Sequence, residues 1–239
     1  MVLLRLRLGL LEKDLAHRFR VAVSTVSVIV RSWLRFMRQE LEPLCIQWPS
    51  KQLIQSVMPL QFQQLCPDVV SIIDCTEITM ESPSSLNNKA ACYSSYKSHS
   101  TMKALVGITP NGVVSFASDL FSGSISDPEI IKRSGYLEKL NYGDAVMADK
   151  GFLIQDELAE IGASLVIPHF LKRKSQFTAE ESKHNKKIAC LRIHVERCME
   201  RLKNWHIFDR SMPVSLANIA SDIWIVVVCI SNFWPPLIT

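Results

Sequence analysis

The sequence predicts an α/β fold with a small helical segment ahead of it. Three observations carry that expectation. Short β-branched runs, Val69–Asp74 and Ala145–Asp149 among them, alternate with stretches of helical periodicity. Two amphipathic helices joined by a short turn fill residues 9–37. Apolar residues make up 48% of the 239, enough for a sizeable core and too many for a disordered chain.

Charge is uneven. The net +4 hides +6 in residues 1–38, −7 in 39–168, +6 in 169–203 and −1 in 204–239. Two basic blocks around an acidic centre imply a polyanionic partner. The seven cysteines form no C-x-x-C pair, which argues against a disulfide framework or zinc cluster and for reduced thiols. No uninterrupted apolar run reaches the roughly 18–20 residues of a membrane span. The longest, Ile223–Ile230, suits a buried helix. Arg5 and Arg7 interrupt the apolar start, and no small-residue cleavage site follows, so no secretory signal is expected.

In chain order, the first helix of the pair is expected at Glu12–Phe19, with Leu11, Leu15 and Phe19 on one face. The second runs Ser24–Phe36, with Val26, Ile29, Val30 and Trp33 inward and Ser24 or Val23 as cap. The connection Arg20–Val23 is short enough for a helix-turn-helix, which gives DNA contact to Ser24, Thr25 and Ser27. A plain helical hairpin is the competing reading. Arg20 stands at the usual turn glycine, and a left-handed residue other than Gly costs about 1 kcal/mol.

Pro43, Pro49, Pro59 and Pro67 mark a linker with a short helix around Lys51–Met58. Val69–Asp74 is a strand, and residues 81–100 an irregular loop closing on Tyr93–Lys97. Met102–Ile108 and Val113–Ser118 make a hairpin turned by Asn111-Gly112. Pro128 opens a helix. Ala145–Asp149 and Ser164–Pro168 are strands around a helix at Gln155–Ile161. Thr178–Glu181 is a capping box opening a long basic helix. The last helix, Leu216–Phe233, stops at Pro235-Pro236. The expected organisation is a helix-turn-helix segment over 1–40, a linker over 41–67 and a single domain over 68–239.

On the long helix, Leu191, Val195, Cys198 and Leu202 form an apolar stripe, while Arg192, Glu196 and Lys203 share a charged face. A solvated salt-bridge ladder would look the same. The company of Asp74 and Asp149 changes the reading. Carboxylates at the ends of neighbouring strands lie close together and cannot all ionise without a cation. Hard oxygen donors favour Mg²⁺ or Mn²⁺. Two such ions activate a water or 3′-hydroxyl and stabilise the leaving oxygen in phosphodiester cleavage, and basic flanks hold the phosphate backbone. In this reading Asp74 and Asp149 bridge the metal ions and Glu196 completes the second site. Arg192 and Lys203 orient Glu196 or touch phosphate.

Other residues weigh less. Asp127 reads as a helix cap or as an aid to the metal site. Lys97 and Lys103 read as phosphate contacts or, in preference, as solvated surface. Lys172-Arg173-Lys174 reads as a phosphate contact or a nuclear import signal. Cys75, Trp205, Trp224 and Trp234 read as core. His194-Val195-Glu196 matches the H-x-E of zinc deaminases, but no P-C-x-x-C follows.

The chain resembles the DDE superfamily endonucleases of the Harbinger and IS5-like transposase group. The resemblance lies in Val70-Ser-Ile-Ile-Asp-Cys-Thr-Glu-Ile78, Tyr93-Ser-Ser-Tyr-Lys-Ser-His99, Gly107-Ile-Thr-Pro-Asn-Gly-Val-Val114, Ser126-Asp127, Ala148-Asp-Lys-Gly-Phe152, and Arg192-Ile-His-Val-Glu196 with Arg201-Leu-Lys203. It runs from about residue 9 to the C-terminal prolines. It implies an RNase H-like core, a mixed sheet flanked by helices, with Asp74, Asp149 and Glu196 as the catalytic and metal-binding triad. It also implies a helix-turn-helix just ahead of that core. Ser122 and Ser124 depart from the Gly and Arg that members often show. The expected activity is Mg²⁺- or Mn²⁺-dependent DNA cleavage in the nucleus, with DNA and a separate DNA-binding protein as partners. The alternative is a domesticated DNA- or protein-binding factor without cleavage.

Overall fold

The computed structural model describes residues 1–168, 178–235 and 237. The basic run Lys172, Arg173, Lys174 lies outside the described residues.

Three helices open the chain: α1 (Val2–Leu8), α2 (Glu12–Phe19) and α3 (Val23–Cys45). The α2–α3 pair is the expected helix-turn-helix. Arg20 takes the left-handed conformation (φ 53°) without glycine, and its N–H donates to the carbonyls of Ala16 and His17. Those bonds close the end of α2 and offset the strain. The faces differ from the expectation. Val26, Val30 and Leu34 point inward on α3, while Trp33 is 52% exposed. On α2 only Leu15 of the expected trio is buried; Leu11 and Phe19 are exposed. The cap position of α3 falls to Ala22, which has no side chain to offer.

α3 runs well past Phe36. Arg38 anchors its later turns through ion pairs with Glu42, Asp119 and Asp222, at 2.9, 2.8 and 3.2 Å. Pro43 sits inside the helix near its end. Residues 46–68 then hold two short helices, α4 (Lys51–Ser56) and α5 (Leu60–Leu65). The Ser50 hydroxyl caps α4, and Ile54 and Phe62 drop into the core.

Among the described residues the sheet has seven strands. β1 (Val69–Thr79) is central, flanked by β3 (His99–Ile108), antiparallel, and β6 (Ala145–Met147), parallel. β7 (Ser164–Val166) extends the parallel edge beyond β6. β2 (Tyr93–Ser94), β4 (Val114–Ala117) and β5 (Phe121–Ser122) pair with β3. This is a curled mixed sheet flanked by helices, consistent with the RNase H-like core that the sequence implied. β1 does not end at Asp74 but continues five residues, because Cys75–Thr79 keep a full antiparallel register with Leu105–Thr101. The expected irregular loop at 81–100 contains helix α6 (Leu86–Cys92) and β2. The hairpin turns at Gly112, whose φ of 88° only glycine adopts without strain.

The helices that complete the layers are α7 (Asp127–Arg133), α8 (Gln155–Glu160), α9 (Ala179–Lys203) and α10 (Ala220–Ser231). Thr178 and Glu181 form the predicted capping box of α9. Its stripe Leu191, Val195, Cys198 and Leu202 is buried against the core. A 3-10 turn at Val214–Ile219 replaces the first part of the expected last helix. Val214–Ser231 is long and apolar enough to span a membrane by length and composition. In this fold α10 packs chiefly on α3, with Trp224 to Cys229 buried, the burial of a core helix. The Trp224 indole donates to Ser118 O at 3.1 Å, satisfying its one polar atom.

Candidate active site

The site forms where β1, the end of β6, the start of α7 and the later turns of α9 converge. Asp74 sits in the middle of β1 and is mostly buried, with one carboxylate oxygen accepting from the Cys75 N–H at 2.9 Å. Asp149 lies two residues past β6, half-exposed. Parallel pairing of β1 with β6 sets Ile72 beside Met147, so the chain leaves β6 at the level where β1 carries Asp74.

Arg192 of α9 reaches across and places Nη1 3.2 Å from Asp149 Oδ1. Its Nε is buried without a hydrogen-bond partner among the described residues. Burial pushes the Asp74 carboxyl up to about 6; Arg192 and the Cys75 N–H pull it back, while Asp127 and Asp149 push it further. Asp74 therefore senses Arg192, Asp127 and Asp149. Lys203, two turns beyond Glu196, belongs to the same neighbourhood. Burial lowers its ammonium, Lys97 lowers it further, and Asp74 and Glu77 oppose both.

Three residues prove more involved than the sequence indicated. Lys103 is not solvated surface. It stands directly opposite Glu77 in the β1–β3 register, its side chain 13% exposed, 3.7 Å from Glu77 and 3.1 Å from Asp127. It also donates to Ile125 O at 3.0 Å. Asp127 does not cap α7, whose cap position is Ser126; its carboxylate faces Lys103 and the Cys75 thiol. Glu77 accepts from the Thr101 hydroxyl at 2.9 Å as well. The signal was present in the alternation of Thr101 and Lys103 along a strand whose partner carries Glu77.

Glu196 shares a helical face with Arg192 and Lys203, as its spacing requires, but is exposed. Its carboxylate makes no ion pair among the described residues. No group of three or more His, Cys, Asp or Glu residues among the described residues is gathered closely enough to hold a metal ion. The oxygen donors near Asp74 are of the type a hard divalent cation prefers: the carboxylates of Asp127 and Asp149 are both within electrostatic reach of it. In the present arrangement a guanidinium supplies part of the compensating charge. Of the other predicted contacts, Ser24 and Thr25 are exposed on the first turn of α3. Ser27 is half-buried, its hydroxyl 3.4 Å from Arg31 Nε.

Comparison with known families gives this arrangement its class. A model described as "DDE superfamily endonuclease" matches residues 73–232, two thirds of the chain. A second, "Helix-turn-helix of DDE superfamily endonuclease", matches residues 1–43. The chain belongs to the DDE superfamily endonucleases of transposase type. A search among curated proteins gave no match.

Proposed function

We propose that the chain is a divalent-metal-dependent DNA endonuclease of transposase origin, within the Harbinger and IS5-like group whose motifs it resembles. The observation that carries this is the meeting of Asp74, Asp127 and Asp149 with Arg192 and Lys203 on a sheet of this family. Asp74 and Asp149 would hold the metal, and Glu196 would join them from α9. Bound Mg²⁺ or Mn²⁺ supplies Lewis acidity and a nucleophilic water at neutral pH. Lys203 and Lys97 draw the anionic backbone toward the carboxylates. Arg192 holds Asp149 and balances its charge until substrate arrives. Lys103 fixes Asp127 and Glu77 beneath them. Ser24, Thr25 and Ser27 lie where a helix-turn-helix meets DNA, and this reading places the chain in the nucleus, with the cytoplasm as a second compartment. A separate DNA-binding protein would supply target choice beyond that contact.

One observation favours a second reading. Glu196 stands apart from the aspartates, as it would in a domesticated binding factor without cleavage. Nicking of supercoiled plasmid with Mg²⁺ or Mn²⁺, wild type beside Asp149→Ala, separates the two. Cutting by wild type alone supports the nuclease. No cutting by either, with DNA binding intact, supports the binder.

A further inference from the structure

A groove of about 550 Å³ runs between α5 and the first half of α9. Gln61, Gln64 and Leu65 form one wall; Lys183, Lys186 and Lys187 form the other, above Cys190 and Leu191. At 100° per residue, these lysines and Cys190 lie on the side of α9 away from Arg192. The groove is therefore distinct from the carboxylate site, and it is equally distinct from the first turn of α3.

Its charge is uncompensated. None of the three lysines makes an ion pair among the described residues, although three cations within one helical turn repel one another. The acidic residues in the first turn of α9 are Glu180 and Glu181, and Glu181 is committed to Thr178 in the capping box. The facing wall is neutral, with the side-chain amides of Gln61 and Gln64 beside Leu65. Lysine and glutamine both donate to DNA phosphate oxygens, and the net positive charge of the lining matches a polyanionic backbone.

We propose that this groove seats the phosphate backbone of duplex DNA, a second contact that holds the duplex behind α9 while its scissile part lies at the carboxylates. The inference rests on the chain being a DNA-handling protein and not on cleavage.

The test uses the full chain in EDTA, so that loss of nicking cannot be confused with loss of this contact. Anisotropy of a labelled random-sequence duplex gives log Kobs against log salt. Lys183→Gln/Lys186→Gln/Lys187→Gln is expected to flatten the slope by about 2–3, near 0.9 per lost phosphate contact, and Lys186→Gln alone by about 0.9. All three lysines are exposed, and circular dichroism checks that the variants are folded. Alkylation of the exposed Cys190 thiol, followed by peptide mass spectrometry, is expected to slow several-fold in the presence of duplex. Unchanged slopes with unprotected Cys190 overturn the proposal. So does protection by polyglutamate but not by duplex, which transfers the groove to an acidic protein.

Discussion

Arg192 Nη1 lies 3.2 Å from Asp149 Oδ1, tying α9 to the end of β6 across 43 residues of sequence. The same guanidinium lowers the proton affinity of Asp74. Removing a cation that favours the charged carboxylate must raise its pKa. Arg192→Ala is therefore expected to move the Asp74 titration midpoint above about 6. Carbon-13 NMR of the side-chain carboxyl, in EDTA, checks this. An unmoved midpoint would mean that the charge of Arg192 does not reach Asp74.

The raised value for Asp74 also sets a pH dependence. The folded state holds the proton more tightly, to about 6 against an ordinary 3.8. Relative stability is therefore fully present below the ordinary value and is lost as pH rises through about 6. At 1.36 kcal/mol per unit, the loss at neutral pH is at most about 3 kcal/mol. Asp74→Asn, which cannot ionise, should be more stable than wild type at pH 7 without metal, and nearly equal at pH 4. Thermal melts at both pH values decide it. Added Mg²⁺ should narrow the gap at pH 7 by stabilising wild type alone.

Lys103 is the buried cation between Glu77 and Asp127. Lys103→Met keeps the bulk and strands two carboxylates, a change expected to cost about 3–5 kcal/mol in urea unfolding. Glu77→Gln added to Lys103→Met should recover part of the loss. A double variant no better than the single would show that Asp127 carries the whole coupling.

Arg20 holds a left-handed backbone in the helix-turn-helix. Arg20→Gly relieves that strain while adding freedom to the unfolded chain, for a net gain of up to about 1 kcal/mol. The urea midpoint should rise with the slope unchanged. A fall would mean that the arginine side chain holds the turn in some other way.

Much of the architecture was legible because local chemistry and packing agree there. The capping box at Thr178, the Asn111-Gly112 hairpin and the apolar stripe of α9 were each read from spacing, and each forms as read. The length of α3 was not legible. Pro43 looks like a terminator, but Arg38 holds the helix on course through Glu42 one turn on and through Asp119 and Asp222 from distant segments. Trp33 was placed inward on the same helical face as Val26, Ile29 and Val30, and the core takes Leu34 instead. At the site, the order and spacing of Asp74, Asp149 and Glu196 pointed to one neighbourhood; Asp74 and Asp149 come together around Arg192, while Glu196 is exposed and makes no ion pair among the described residues. The pairing of Lys103 with Glu77 needed the β1–β3 register, which one strand read alone does not reveal.

The 23 residues of α3 run without a break from just after the turn at Arg20 to Cys45, whose carbonyl accepts from the Asn232 side chain at the edge of the core. At 1.5 Å per residue this is a rod of about 34 Å. It has no joint between the turn that would grip a duplex and the layer that carries the acidic site. Whatever the first turn of α3 engages is thus held at one offset and one angle from the sheet, as by the arm of a compass. A single inserted residue would swing that grip through about 100°, while an inserted turn and a half would lengthen the arm and face the grip away.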